Sequence, residues 1–171
     1  MKINFGCGKR VKEGWLNVDA VSREDAAPDL IYKMEFDALG ILVHKMPLGD
    51  ACATDLMALH VIEHFHPWET WAVLGEWRRV LQHGGRLIIE LPNIELAARN
   101  LLEGTPDQLS MWAFYGDGSH RDPYMMHKTG FTPRTITNIL AARGFTNIEV
   151  LPPRTHMKRL DRDMRIEAVK A

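Results

Sequence analysis

Three groups of residues in this sequence have the types and spacing that chemistry needs. The first is Gly6-Cys7-Gly8, which follows the run Ile3-Asn4-Phe5 and precedes a second run, Leu16-Asn17-Val18, that ends on Asp19. Paired glycines let the backbone turn sharply and approach a ligand that a Cβ would hold off, and a carboxylate at the end of the next strand can accept hydrogen bonds from two ribose hydroxyls. The second group is His60-Val61-Ile62-Glu63-His64. The third is His127, just beyond the run of turn formers from Gly116 to Pro123. Histidine is the side chain that exchanges a proton near neutral pH, so among the eight histidines His64 and His127 are the candidates for a base that relieves an acceptor of its proton. The glycine-rich run between 116 and 123 is placed to act as a lid over such a site.

His60-Val61-Ile62-Glu63-His64 also matches the His-x-x-Glu-His signature of inverted zinc peptidases. That chemistry requires both histidines one turn apart on a single helix. Here His60 ends the apolar run Asp55–Leu59, which reads as a strand, and Pro67 opens a helix only afterwards. Zinc hydrolysis through His60, Glu63 and His64 is therefore the lesser alternative, and no metal ligand is expected.

These groups need a scaffold that brings strand ends together. Ile3–Phe5, Leu16–Asp19, Asp29–Tyr32, Asp55–Leu59 and Arg86–Leu91 read as strands, the last two as continuous apolar runs of the kind buried on both faces of a parallel sheet. Ile41–Met46 reads as a short helix ended by Pro47. His66-Pro67 starts a longer helix in which Trp68, Trp71, Leu74, Trp77 and Leu81 form one stripe toward a core, with Glu69 and Glu76 elsewhere, and His83-Gly84-Gly85 is its stop. Helices follow over Ile94–Leu102, Pro106–Tyr115 and Thr132–Arg143. The chain finishes with a strand over Thr146–Leu151, a basic loop, and a strand over Met164–Lys170. Strands alternating with helices specify an α/β fold, a doubly wound, Rossmann-like, mostly parallel sheet with an antiparallel strand at its C-terminal end. In such sheets ligands bind outside the carboxyl ends of the strands, where Gly6 to Gly8, Asp19, Asp37, His60 and Pro92-Asn93 would meet.

A chain of 171 residues suits a single domain spanning 1–171, and 46% hydrophobic with 25% charged residues is a globular composition. The net charge of −1 offers no global attraction to nucleic acid or to an anionic membrane. Two cysteines, Cys7 and Cys52, are too few for a disulfide framework, and the start of the chain leaves no room for a leader, so a cytoplasmic protein is expected. Arg154, His156, Lys158, Arg159, Arg162 and Arg165 form a basic cluster without aromatic interleaving, which suits a small acceptor bearing phosphate or carboxylate better than an extended nucleic acid.

Taken in order, Asn4-Phe5-Gly6-Cys7-Gly8, Gly14-Trp15-Leu16-Asn17-Val18-Asp19, His60 to Phe65, Glu76 to Leu81 with Gly84-Gly85-Arg86-Leu87, and Gly144-Phe145 resemble the class I S-adenosylmethionine-dependent methyltransferases, in the compact form related to the type 11 methyltransferase domain. The resemblance implies S-adenosylmethionine as cofactor, with Phe5, Gly6, Cys7 and Gly8 along its methionine and ribose, Asp19 on the ribose hydroxyls, Asp37 at the adenine amino group with Asp50 as its rival, and His60 at the methionine end. It implies methyl transfer to a hydroxyl or amine of a small molecule. A non-catalytic cofactor-binding subunit of a partner enzyme is the alternative from another class. Three departures stand out: Asn4 and Arg10 replace a frequent acid and a frequent glycine, the stretch from Gly8 to Asp19 is too short for a crossover helix and must be an irregular loop, and Asp37 lies far from Met46-Pro47-Leu48.

Overall fold

The computed structural model describes residues 1–171 except 23, 34, 37–41, 105–107, 118–122 and 156–159. Among the described residues, a seven-stranded sheet runs in the order β3-β2-β1-β6-β7-β9-β8, built from β1 (Lys2–Phe5), β2 (Leu16–Asp19), β3 (Leu30–Ile31), β6 (Ala53–Leu59), β7 (Leu81–Pro92), β8 (Phe145–Leu151) and β9 (Asp163–Lys170). The pairings from β3 through β7 are parallel; β9 runs antiparallel to both of its neighbours. Helices α1 (Pro67–Val80), α2 (Ile94–Leu102), α3 (Gln108–Tyr115) and α4 (Pro133–Ala142) complete the α/β architecture, a Rossmann-like, mostly parallel sheet with an antiparallel strand, β9, in its C-terminal part as the alternation of elements predicts. Ile3, Val18, Leu56, Leu87 and Ile89 are fully buried, so the core lies along the sheet centre. No helix among the described residues is long and apolar enough to cross a membrane.

Where sequence and structure differ, a backbone partner explains most of the difference. Among the described residues of Ile41–Met46 the expected helix is absent: Leu42–Val43 is β5, paired antiparallel with Glu35–Phe36, β4. Six residues cannot recover the cost of nucleating a helix. In α1 the buried positions are Glu69, Thr70, Val73, Leu74, Glu76, Trp77 and Val80, whereas Trp68 and Trp71 are 71% and 47% exposed. The apolar stripe is thus turned by about one residue from the expected one. Glu69 and Glu76 can go inside because their carboxylates accept protein N–H groups. Glu69 Oε2 accepts from the His66 amide at 2.7 Å; Glu76 accepts from the Met46 amide at 2.5 Å and from Arg79 Nε at 2.7 Å. The two displaced tryptophans find partners at the surface: Trp68 stacks on His66, centroids 4.3 Å apart, and Trp71 lies 3.9 Å beneath the Arg143 guanidinium. The helix also ends three residues before His83-Gly84-Gly85. Leu81 is already extended and pairs with Ala53, so β7 begins there.

The parallel strands deliver their carboxyl ends to one edge of the sheet. Because β9 is antiparallel, it brings its first residue, Asp163, to that same edge, opposite Pro92 of β7.

Candidate functional site

The turn after β1 is the first wall of the site. Gly6 and Gly8 both have left-handed backbones, with φ of 67° and 51°. A Cβ on Gly6 would overlap the Val61 side chain, whereas the space beside Gly8 is open for 4 Å. The first glycine therefore lets the segment after β6 close against the turn, and the second leaves room for a ligand. Gly6→Ala combines a strained backbone with that overlap and is expected to lower stability by about 1–3 kcal/mol. Urea unfolding checks it: recovery in the Gly6→Ala, Val61→Ala pair would assign the loss to the contact, and an unmoved midpoint in Gly6→Ala would remove it.

Beyond Gly8 the chain returns to β2 as an irregular loop, as the short spacing requires, and two asparagines hold it. Buried Asn4 donates from Nδ2 to the Arg10 carbonyl and to Asn17 Oδ1, both at 2.9 Å. Asn17 Oδ1 accepts from the Lys12 amide at 2.8 Å, and Asn17 Nδ2 donates to the carbonyls of Lys12 and Trp15 and to Asp29 Oδ2. A loop whose polar groups are met this way needs no helix to satisfy them. The Asp29 carboxyl is held below its usual value by the Asn17 amide and side chain.

Asp19, half-buried at the end of β2, faces this turn. Its Oδ2 accepts from the Gly8 amide at 2.6 Å and its Oδ1 from the Val21 amide at 3.1 Å. A carboxylate has about four acceptor positions, so both oxygens retain capacity toward a ligand. Cys7, between the glycines, is buried, and burial together with the Asp19 charge pushes its thiol up to about 11. It is a neutral thiol at physiological pH and no nucleophile. Phe5 is buried in the core, edge-on to Tyr32 and Trp77, and supports the turn from beneath.

The second wall follows β6. His60 has a left-handed backbone, φ 54°, and its amide donates to the Glu90 carbonyl at 2.7 Å. Its ring lies between two carboxylates, Nδ1 at 3.2 Å from Glu63 Oε1 and Nε2 at 3.5 Å from Asp163 Oδ2. Ile62–His64 then forms a single 3-10 turn before α1. His60 and His64 therefore do not share a helix, and the inverted zinc-peptidase geometry is not formed. Glu63 is buried. Burial alone would raise its carboxyl, but the His60 hydrogen bond and the charges of His60, His64 and His127 outweigh it and hold the group below its usual value.

The structure brings His64 and His127 together, with ring centroids 4.9 Å apart and planes at 75°. Each ring presents Nδ1 to a backbone carbonyl, His64 to Met126 and His127 to Ala113, both at 3.0 Å. A carbonyl only accepts, so each Nδ1 carries a proton, and in the neutral ring Nε2 then holds a lone pair. Burial lowers the pKa of His127. The backbone carbonyl of Glu63 accepts from the amides of Lys128 and Thr129, at 2.8 and 3.1 Å, which fastens the His127 segment to the turn after β6.

Val61, Glu90 and Asp163 are site residues that motif reading passes over. The buried Glu90 carboxylate takes Arg165 Nη1 at 2.8 Å and the amides of Arg154 and Thr155 at 2.9 and 3.1 Å. The polar residue inside the apolar run Leu87–Leu91 is the signal that marks it. Arg162 and Arg165 are not free to receive an anion. Arg162 is buried in a two-point pair with Asp163, at 2.7 and 3.1 Å, and Arg165 bonds Glu90 and Glu167. Asp37, His120, most of the suggested lid and Arg159 lie outside the described residues. Asp50 pairs with Arg79 at 2.6 Å.

A model of the methyltransferase domain matches residues 15–89. No curated protein matches the sequence. Among solved structures, an S-adenosylmethionine-dependent methyltransferase from Archaeoglobus fulgidus is 18% identical with a TM-score of 0.60, covering 98% of this chain and 85% of its own. A Methanosarcina mazei S-adenosylmethionine-dependent methyltransferase is 15% identical with a TM-score of 0.58, covering 98% and 91%. The Burkholderia thailandensis 1,6-didemethyltoxoflavin-N1-methyltransferase, with 1,6-didemethyltoxoflavin and S-adenosylhomocysteine bound, is 17% identical with a TM-score of 0.59, covering 99% and 70%. At these identities the likeness is one of fold. With the domain match over residues 15–89 and the glycine turn facing Asp19, it gives the conclusion that this chain has the fold of the S-adenosylmethionine-dependent methyltransferases and carries a methyltransferase-domain match, which supports S-adenosylmethionine as its cofactor.

Proposed function

We propose that this chain methylates a hydroxyl or amine of a small molecule, with the cofactor along Phe5–Gly8, Asp19 and His60 and the acceptor against His64 and His127. The observation that carries this reading is the contact between Gly6 and Val61, which sets the His-bearing turn beside the glycine turn. The residues fit the cofactor: the space beside Gly8 admits a ligand, and Asp19 keeps acceptor capacity for ribose hydroxyls after holding the Gly8 and Val21 amides.

When bound, S-adenosylmethionine supplies a methyl group already activated by the sulfonium charge. The chain's own work is then alignment and exclusion of water. Asp19 fixes the glycine turn and the ribose together. His60, braced by Glu63 and Asp163, borders the far end of the crevice. The Nε2 lone pairs of His64 and His127 can take the acceptor's proton, since their tautomers are fixed by Met126 and Ala113. A small acceptor is supported by the Burkholderia structure, whose own bound molecule is 1,6-didemethyltoxoflavin. The pairing of Arg162 and Arg165 leaves recognition of an anionic acceptor to Arg154 and residues outside the described ones.

The test is transfer of a labelled methyl group to a panel of hydroxyl and amine metabolites, with bulk RNA and protein alongside. Turnover of small acceptors is expected. Efficient methylation of RNA or protein with the small acceptors inert would sink the reading.

A further inference from the structure

Glu63, His64 and His127 come from two distant stretches of chain, yet one ligating atom of each lies within 4.8 Å of the others. We propose that these three residues form a binding site for a divalent transition-metal ion of the zinc or manganese kind, with open positions for an oxygen-bearing acceptor. This departs from the sequence reading, which expects no metal and joins Glu63 to His60 rather than to His127.

The first argument is the state of the donor atoms. Both imidazoles present Nδ1–H to a backbone carbonyl, which fixes the tautomer that leaves Nε2 unprotonated and limits ring rotation. Histidines that ligate metals are held in this way by an outer hydrogen bond. The second is the carboxylate. Glu63 is 1% exposed, its Oε1 is engaged by His60, and its Oε2 is buried with no hydrogen-bond partner among the described residues. An unmatched carboxylate oxygen at such depth is costly, and a cation satisfies it directly. The third is the ligand set. Two histidines and one carboxylate is a set used for open catalytic zinc sites and for other divalent metals, with vacant positions left for water or substrate. Ligand atoms around tetrahedral zinc lie roughly 3.3 Å apart, from bonds of about 2.0–2.1 Å, so the cluster, now within 4.8 Å, must draw in by up to about 1.5 Å on binding.

The ion itself does not depend on the proposed acceptor. Its role rests on that reading: with both lone pairs committed to the ion, the histidines hold the metal instead of acting as free bases, and the acceptor class narrows to compounds whose oxygens can occupy the open positions. Glu63 and His64 sit two and three residues past Val61, whose side chain lies against Gly6.

The experiment uses the whole chain, stripped with chelator and titrated with Co²⁺, whose visible d–d bands report nitrogen and oxygen ligation. One equivalent should bind with a low-symmetry visible spectrum, and Zn²⁺ should displace it. His64→Gln and His127→Gln, checked for folding by circular dichroism, should each bind at least about tenfold more weakly. His83→Ala, at an exposed position on β7, should bind like the unaltered chain. Absence of stoichiometric binding by the unaltered chain would overturn the proposal, as would binding undiminished in either folded glutamine variant. The spectrum is read without cofactor or acceptor, so a failure here is distinct from a failure of the methyl-transfer assay.

Discussion

Glu90→Leu is expected to destabilise the fold by about 3 kcal/mol, because it strands Arg165 Nη1 and two backbone amides and leaves Glu167 as the remaining acid on the buried Arg165 guanidinium. Glu90 is fully buried and accepts from the Arg165 guanidinium and from the amides of Arg154 and Thr155, so one substitution strands three donors. Urea unfolding of Glu90→Leu beside the Glu90→Leu, Arg165→Met pair separates the causes: the pair should regain the part of the loss due to the guanidinium, since a matched apolar replacement removes it, while the part due to the Arg154 and Thr155 amides persists. The effect carries a pH signature. Burial would raise the Glu90 carboxyl, but the Arg154 amide, Arg165 and Thr155 prevail and hold it below its ordinary value. A depressed folded pKa contributes stability that is present above the unfolded value of about 4.3 and lost as pH falls through the folded value. The gap between the two proteins should therefore be full at neutral pH and shrink in acid. A midpoint for Glu90→Leu equal to that of the unaltered chain at neutral pH would remove Glu90 from the framework of the site.

Asp19→Ala is expected to weaken S-adenosylmethionine binding roughly ten- to 150-fold, the equivalent of about 1.5–3 kcal/mol for hydrogen bonds to a charged group. The same change also releases the Gly8 and Val21 amides, so lost affinity could arise from a displaced turn. Asp19→Asn keeps one oxygen for an amide while giving up the charge. Calorimetric titration of both variants, with melting curves beside it, resolves the two contributions. Lost affinity in a stable Asp19→Asn protein assigns the ribose to the carboxylate. Unchanged affinity in both would reduce Asp19 to a residue that pins the turn.

Much of the scaffold is readable in the sequence because local signals agree with tertiary demands. The apolar runs that become β6 and β7 have one structural outlet, and Thr132-Pro133 with Gly144 brackets α4 because cap and stop residues act over a single turn. The departures share a cause. Glu69 and Glu76 read as solvent-facing from their charge, yet the His66 amide of the helix cap takes Glu69 and the Met46 amide, distant in sequence, draws Glu76 inside, and α1 rotates to suit. The same holds at the site. His64 and His127 are legible one at a time as proton-handling residues, but their approach depends on the Glu63 carbonyl holding the 128–129 amides, a contact that no spacing rule encodes. The Arg162 and Arg165 pairings are hidden for the same reason: sequence gives the sign of a charge, while the partner is chosen by strand register.

The place of β9 in the sheet governs when the site can come into being. Among the described residues β8 pairs with β9 alone, and β9 in turn is the strand that joins it to β7. While the chain is being synthesised, residues 145–151 thus emerge with no edge to join until residues 163–170 follow. The pairing of β9 with β7, far apart in sequence, forms late and slowly, since loop closure must precede any reward from contact. Asp163 and Arg165 arrive on that same strand, one beside His60 and the other against Glu90. The glycine turn can thus assemble early around β1, β2 and β6, but the crevice beside it is finished by the strand that follows all the others of this sheet in the chain, and the nascent protein is a fold in waiting before it is a catalyst.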